Sequence, residues 1–240
     1  MNRAYQNNYA SGRPQMYDNK SREQKGMRIV RTLEDYYGKE KIKKLNVLDV
    51  GTSTGIIDNI LAKSFGKVTG TDIDKEAIQF ASKNFKRKNL KFKVEDAMKL
   101  SFKSNSFDVV ICTHVYEHVP NRQTLFNEIH RVLKPGGICY LAAQNKLWPL
   151  EAHHNLLFLS YLPKDIANLY MKLMGKSKMY YETPVSYWGM KKLTKKFAQI
   201  DYTGKIVSNP KRFGYLHPSL PLLSPFAKFI MPTTFWILVK

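Results

Sequence analysis

The sequence predicts an α/β protein, a parallel sheet wound with helices on both faces. Two observations carry that expectation. Val47-Leu48-Asp49-Val50-Gly51-Thr52-Ser53-Thr54-Gly55 is an apolar run that ends in an acid and breaks into a turn of small residues. Ile56, Ile57, Ile60 and Leu61 then recur at helical spacing, so a buried strand passes through a tight turn into a helix. The second observation is repetition. Lys67-Val68-Thr69-Gly70-Thr71-Asp72-Ile73-Asp74 and Leu90-Lys91-Phe92-Lys93-Val94-Glu95-Asp96-Ala97 are two more β-type runs ending in acids. Strand-like runs alternating with helical stretches indicate βαβ units.

Residues 1–20 are polar and read as loose. The first nine are polar and aromatic, so no secretory leader is expected. An amphipathic helix is expected over about 21–45, with Met27, Val30, Leu33 and Tyr37 on one face. In the first strand-turn-helix corner, small residues let a ligand press against the backbone. The helix N-terminus offers free N–H groups to an anionic part of that ligand. Gly51 and Gly55 do not fit the dinucleotide fingerprint G-x-G-x-x-G. Asp49 suits a ligand with positive charge near the turn, such as an amine or a sulfonium. A corner with no ligand is the alternative. Asp72 lies 21 positions after Gly51, where a second parallel strand places a carboxylate to grip ribose hydroxyls. Phe107 to His114 is a continuously apolar fourth strand, as a central parallel strand should be. A helix ending in Lys134-Pro135-Gly136-Gly137 leads to a fifth, Ile138 to Ala143.

Together these segments, about residues 45–145, resemble the class I S-adenosylmethionine-dependent methyltransferases of the small-molecule (type 11-like) group. The resemblance implies a Rossmann-like, seven-stranded doubly wound sheet, an insertion after the fifth strand, and S-adenosylmethionine as cofactor. It places Asp49, Gly51 and Gly55 around the methionine part. Ser53 stands where the family usually has a third glycine. Asp72 would bind the ribose, Ile73 would pack on adenine, and Asp96 with Ala97 would read its edge. Thr113 and His114 would border the sulfonium and the acceptor. Tyr17 matches an aromatic that closes over the cofactor in similar enzymes, with plain packing as the alternative.

One domain accounts for 240 residues. It divides into an N-terminal cap region (1–45), a cofactor-binding core (46–145), a substrate or lid region (146–200) and C-terminal strands (201–240). The lid region carries a helix-like stretch from Ile166 to Met174, and a capped helix is expected over 186–200. Glu117-His118 follows the fourth strand and could serve as a general base, hold a metal, or simply start a helix. His118 and His154 are the candidate catalytic residues. Tyr116, Trp148, His153 and Tyr181 are the candidate acceptor contacts. No zinc-type spacing occurs, so no metal is expected. Cys112 and Cys139, the two cysteines, fall on predicted central strands and read as buried hydrophobes, not a disulfide.

The formal net charge is +20. Residues 146–240 hold 14 basic against 4 acidic residues, so half of the excess lies outside the cofactor motifs. Such a field attracts phosphates, nucleic acid or an anionic membrane face, although solvated lysines explain it equally. No apolar run is long enough to span a bilayer. The expectation is a cytoplasmic enzyme, with peripheral contact at the inner membrane face. Its acceptor would be a small molecule or a glycan, lipid-linked glycans included. The alternatives are an RNA methyltransferase and a non-catalytic protein that binds the same cofactor.

Overall fold

The computed structural model describes residues 6, 7, 9–176, 179–215 and 226–240. Its elements are α1 (Asn19–Tyr37), α2 (Lys39–Ile42), β1 (Asn46–Val50), α3 (Ile56–Leu61), β2 (Lys67–Asp72), α4 (Lys75–Asn84) and β3 (Leu90–Val94). Then follow β4 (Phe107–Thr113), α5 (Arg122–Val132), β5 (Leu133–Gln144), β6 (Leu150–Glu151), β7 (Leu156–Leu157), α6 (Lys164–Leu173) and α7 (Tyr187–Leu193). The chain ends with β8 (Ala198–Asp201), α8 (Thr203–Ser208), α9 (Pro210–Phe213), α10 (Ala227–Ile230) and β9 (Thr233–Val239).

Seven strands form one sheet in the order β3-β2-β1-β4-β5-β9-β8, the Rossmann-like arrangement expected. Strands β1 to β5 are parallel, and β9 runs antiparallel to both β5 and β8. Strand order reverses between β1 and β4, so the crevice beyond their carboxyl ends is the natural ligand site. The pleat sends alternate side chains to opposite faces. Val47, Val109, Ile111 and Tyr140 pack with Ile29 and Leu33 of α1 and Ile57 and Leu61 of α3. Leu48, Val50, Val110, Cys112 and Leu141 pack with Phe126 and Ile129 of α5 and Met190 of α7. Both faces are covered, which is why these strands read as unbroken apolar runs. Cys112 and Cys139 are buried and unbonded to each other.

Four expectations need correction. The described residues from 9 onward are tied down, not loose: the Ala10 N–H donates to Asp74 Oδ2 (3.1 Å), and the Thr54 hydroxyl to the Met16 carbonyl (2.7 Å); residues 1–5 and 8 lie outside the described residues. Helix α1 stops at Tyr37, with Gly38 as its cap, and buries Ile29 rather than Met27, which is 39% exposed. The helix expected over 186–200 is only α7, capped by the Ser186 hydroxyl accepting from the Gly189 N–H (3.2 Å); Ala198 to Asp201 is strand. Beyond it, the described residues before β9 form short helices rather than further strands.

The insertion after β5 builds a small core of its own. A hairpin of β6 and β7 and the helix α6 enclose Leu156, Leu159, Ala167, Met171 and Tyr180. Among the described residues no helix is long and apolar enough to cross a membrane.

Candidate active site

A cavity of about 280 Å³ opens at the carboxyl ends of β1, β2 and β4. Gly51 and Ser53 line its floor, and both hold left-handed backbone (φ +80° and +54°). At Gly51 a Cβ would meet Val115 Cγ2 at 2.3 Å, so the turn requires glycine. Ser53 tolerates a conformation that costs an L-residue about 1–2 kcal/mol. In return its N–H donates to Asp72 Oδ2 (2.8 Å). The Asp74 N–H donates to Asp72 Oδ1 (3.0 Å). Each carboxylate oxygen keeps a lone pair for a further donor, such as a ligand hydroxyl. Burial raises the Asp72 pKa from its ordinary value, only partly offset by these N–H groups.

Ile73, Ala97 and Val119 give the cavity an apolar flank. Thr113, His114, His118 and His153 form its mouth. The roof comes from the N-terminal segment, including Gln6, Tyr9, Ala10 and Met16. The Gln6 side-chain amide donates to the His118 carbonyl (2.7 Å), and the Tyr9 hydroxyl lies 3.4 Å from His118 Nε2.

Of the residues picked out in the sequence, Gly51, Ser53, Asp72, Ile73, Ala97, Thr113 and His114 line the cavity, as do His118 and His153. The others do not line it, each for a physical reason. Asp49 lies buried beneath the turn, beside Asp58; burial and that second carboxyl push its pKa well up, while Arg22 opposes them. Gly55 caps α3 (φ +75°) and presses on Ala81 and Phe92, where a Cβ would sit 2.7 Å from each. Asp96 accepts from the Met98 N–H (2.9 Å) in the turn after β3, and Glu95 lines the cavity instead. Tyr116 is fully buried as a strut: its hydroxyl donates to the Gln144 carbonyl (2.6 Å) and accepts from the Val185 N–H (3.0 Å). His154 turns to Glu182 (3.2 Å) and Tyr180. Trp148 sits in the turn after Asn145. Tyr181 is exposed, and its hydroxyl contacts Met179 Sδ. Tyr17 stacks edge-on against Phe80, and the roof is made without it.

Glu117, singled out with His118 in the sequence, is buried at the mouth, whereas sequence reasoning missed the roof and two further buried carboxylates there, Glu151 and Glu182. Glu151 Oε1 lies 2.9 Å from His153 Nδ1, and its Oε2 accepts from the His153 and His154 N–H groups (both 2.8 Å). Burial alone would lower the His153 pKa, but Glu151, Glu117 and Glu182 outweigh it and raise it. At His118 burial prevails and presses the pKa down to about 4. His114 is also lowered by burial, although Glu117 Oε1 lies 3.3 Å from its Nδ1.

The cofactor implied by the sequence resemblance fits these surroundings. Asp72 offers acceptors for ribose hydroxyls, and the apolar flank suits a flat base. Ser53 Oγ, buried without a hydrogen-bond partner, awaits a polar group where the small-residue floor admits a ligand backbone.

Comparison with known proteins gives the same answer. A methyltransferase-domain family model matches residues 48–141. The chain is 32% identical over 170 residues to demethylmenaquinone methyltransferase of Staphylococcus aureus, covering 67% of this chain and 68% of that protein. It is 41% identical over 102 residues to 2-methyl-6-phytyl-1,4-hydroquinone methyltransferase of Synechocystis, covering 42% of this chain and 32% of that protein. In fold it resembles an S-adenosylmethionine-dependent methyltransferase from Mesorhizobium loti, with a TM-score of 0.56 at 12% identity, covering 83% of this chain and 92% of that one. S-adenosylmethionine is the cofactor of such enzymes and of this one, because the chain belongs to the class I S-adenosylmethionine-dependent methyltransferases.

Proposed function

We propose that this methyltransferase acts on a hydroxylated aromatic ring, quinol-like in chemistry, that carries an apolar tail and is drawn from an anionic membrane surface. The observation that carries the reading is the outer face of α6. Ile166, Leu169 and Leu173, spaced along one side of the helix, are 53%, 57% and 76% exposed. Solvent-facing positions of an ordinary surface helix are polar. Phe158 and Tyr161 add exposed aromatic surface in the same insertion. The helix is tied to the mouth of the cavity. Lys164 Nζ, in its first turn, donates to the Tyr180 and Glu182 carbonyls (2.8 and 2.6 Å), and Glu182 Oε1 lies 3.9 Å from His118 Nδ1.

The basic excess of residues 146–240 supports docking of this face on anionic lipid, at up to about 1 kcal/mol per suitably placed lysine. The Synechocystis relative is named for a hydroquinone bearing a phytyl chain. The cofactor supplies an electrophilic methyl group, and the chain must hold the acceptor and relieve it of a proton. A ring hydroxyl, comparable to tyrosine, ionises near pH ~10. An aliphatic hydroxyl behaves more like water, near ~15.7. His114, lowered by burial, is a weak base that suits the more acidic hydroxyl. That argument favours the ring over the glycan acceptor suggested by the sequence.

The test is incorporation of labelled methyl groups into a prenylated hydroquinone, the same ring without its tail, a lipid-linked sugar and RNA. The prenylated hydroquinone should be the best acceptor, and more so in anionic than in neutral vesicles. Replacing Leu169 and Leu173 by Asp should abolish vesicle co-sedimentation while sparing the tail-less ring. Exclusive labelling of the sugar or of RNA would overturn the proposal.

A further inference from the structure

We infer that the mouth of the cavity holds a divalent transition-metal cation, of the zinc or manganese class, bound by Glu117, His118 and His153. These side chains come from two separate stretches, the turn after β4 and the turn after β6. They bring one carboxylate and two imidazoles to one point, with the ligand atoms within 4.8 Å of one another. A carboxylate with two imidazoles is a donor set for Zn²⁺, Mn²⁺ or Fe²⁺, and is poorer for Ca²⁺, which takes oxygen ligands throughout.

The state of Glu117 is the second observation. Its side chain has no solvent exposure, and neither oxygen accepts a well-aligned hydrogen bond. The nearest polar group of an ion pair is His114 Nδ1, 3.3 Å from Oε1. A buried carboxylate left in that condition is costly unless a cation meets it. Two further carboxylates, Glu151 and Glu182, are buried around the same mouth at 1% and 2% exposure. Among the described residues Arg13 reaches only Glu182, at 3.9 Å. Lys164 also lies near Glu182 and Glu151, and against the effect of burial the surrounding imidazoles hold all three carboxyls below their ordinary range, so the mouth gathers three anionic side chains among neutralisable rings.

The support around His153 is that of a metal ligand. Its Nδ1 is engaged by Glu151 Oε1 (2.9 Å), which leaves Nε2 as the lone-pair nitrogen. Glu151 is itself fixed, by Gln144 Nε2 donating to Oε1 (2.8 Å) and by two backbone N–H groups on Oε2. The rings of His118 and His153 meet edge to face with centroids 4.8 Å apart. Both also line the cavity, so three protein ligands leave positions open toward the acceptor. A cation there draws the oxygens of a hydroxylated ring to the mouth and makes its hydroxyl more acidic. Its use in the reaction rests on the ring acceptor proposed above, whereas its binding does not.

The experiment is therefore a binding measurement without acceptor. The full chain, dialysed against chelator, is titrated with ZnCl₂ and with MnCl₂ by calorimetry, and with CoCl₂ by visible absorption. The expected result is one ion per chain, with cobalt bands typical of mixed nitrogen and oxygen ligation. Glu117→Gln and His153→Gln should each weaken binding at least 10-fold, and Glu151→Gln about 10–100-fold through the second ligand layer. His130→Gln, a histidine packed on Phe197, should bind as the unaltered chain does. Circular dichroism and S-adenosylmethionine affinity verify that each variant is folded. Failure of the unaltered chain to bind any of the three ions overturns the inference, with no variant needed. So does binding that Glu117→Gln and His153→Gln leave unchanged. If the ion binds but no hydroquinone is methylated, the metal site stands and the acceptor proposal falls.

Discussion

Gly51→Ala isolates what the cofactor turn demands of its backbone. The added Cβ would lie 2.3 Å from Val115 Cγ2, against the 3.4–4 Å of ordinary contact, and the backbone there holds φ +80°. The left-handed conformation costs an alanine about 1–2 kcal/mol. Crowding of a packed site adds about 1–3 kcal/mol. The single variant should therefore lose about 2–5 kcal/mol by urea unfolding. Val115→Ala removes the Cγ2 methyl that collides, together with Cγ1, at a cost of its own near ~1 kcal/mol for this half-buried side chain. In the double variant the crowding disappears and the backbone cost remains. The double-mutant cycle should then show favourable coupling of about 1–3 kcal/mol. Additive losses would refute the steric account, and a Gly51→Ala protein as stable as the original would refute the backbone account as well.

Three further outcomes follow from the same site. Ser53→Gly should stabilise the fold by up to about 1 kcal/mol, because relief of the left-handed backbone exceeds the entropy glycine adds to the unfolded chain; a loss in thermal unfolding would contradict this. Asp74→Ala should cost about 1–2 kcal/mol, since Asp74 Oδ1 caps α4 through the Glu76 and Ala77 N–H groups. The same change frees Ala10, so limited proteolysis should cut the N-terminal segment first. Burial alone would raise the Glu182 pKa, but the His154 hydrogen bond and the His153 and His118 imidazoles outweigh it and hold it at about 2. Its folded value lies below its unfolded value of 4.5, so its stabilisation is present above pH 4.5 and is lost as pH falls toward 2. That is about 3 kcal/mol, and Glu182→Gln should flatten acid unfolding over this window.

The sheet was legible because its central strands are covered on both faces. Val47 to Val50, Phe107 to Thr113 and Ile138 to Ala143 are apolar nearly throughout. Strand β8 escaped notice because Ala198 to Asp201 is a half-exposed edge whose pairing with β9 is set by tertiary contact. The helix expected through Phe197 ends early because the chain must turn there to reach that edge; the Thr194 hydroxyl closes it on the Met190 carbonyl (2.9 Å). The cofactor side of the site was readable because its residues sit at strand ends, where order along the chain maps to position in space. The acceptor side was not. Glu151 and Glu182 reach His153 and His118 through folding of the insertion, and no spacing foretells it. The roof was hidden for a similar reason: Gln6 to Met16 has no periodicity, and its order comes from bonds to His118, Asp74 and Thr54.

Ala10 is pinned to Asp74 beside the cofactor groove, while Gln6 and Tyr9 reach His118 beside the acceptor. The segment thus joins the roof of the cofactor groove to the wall beside His118. Because one segment touches both sides, binding should run in order: cofactor first, acceptor second, spent cofactor last to leave. Steady-state kinetics should show product inhibition by S-adenosylhomocysteine that is competitive with S-adenosylmethionine alone. A bulky fusion at the amino end should slow turnover by hindering this exchange, without touching a residue at the mouth.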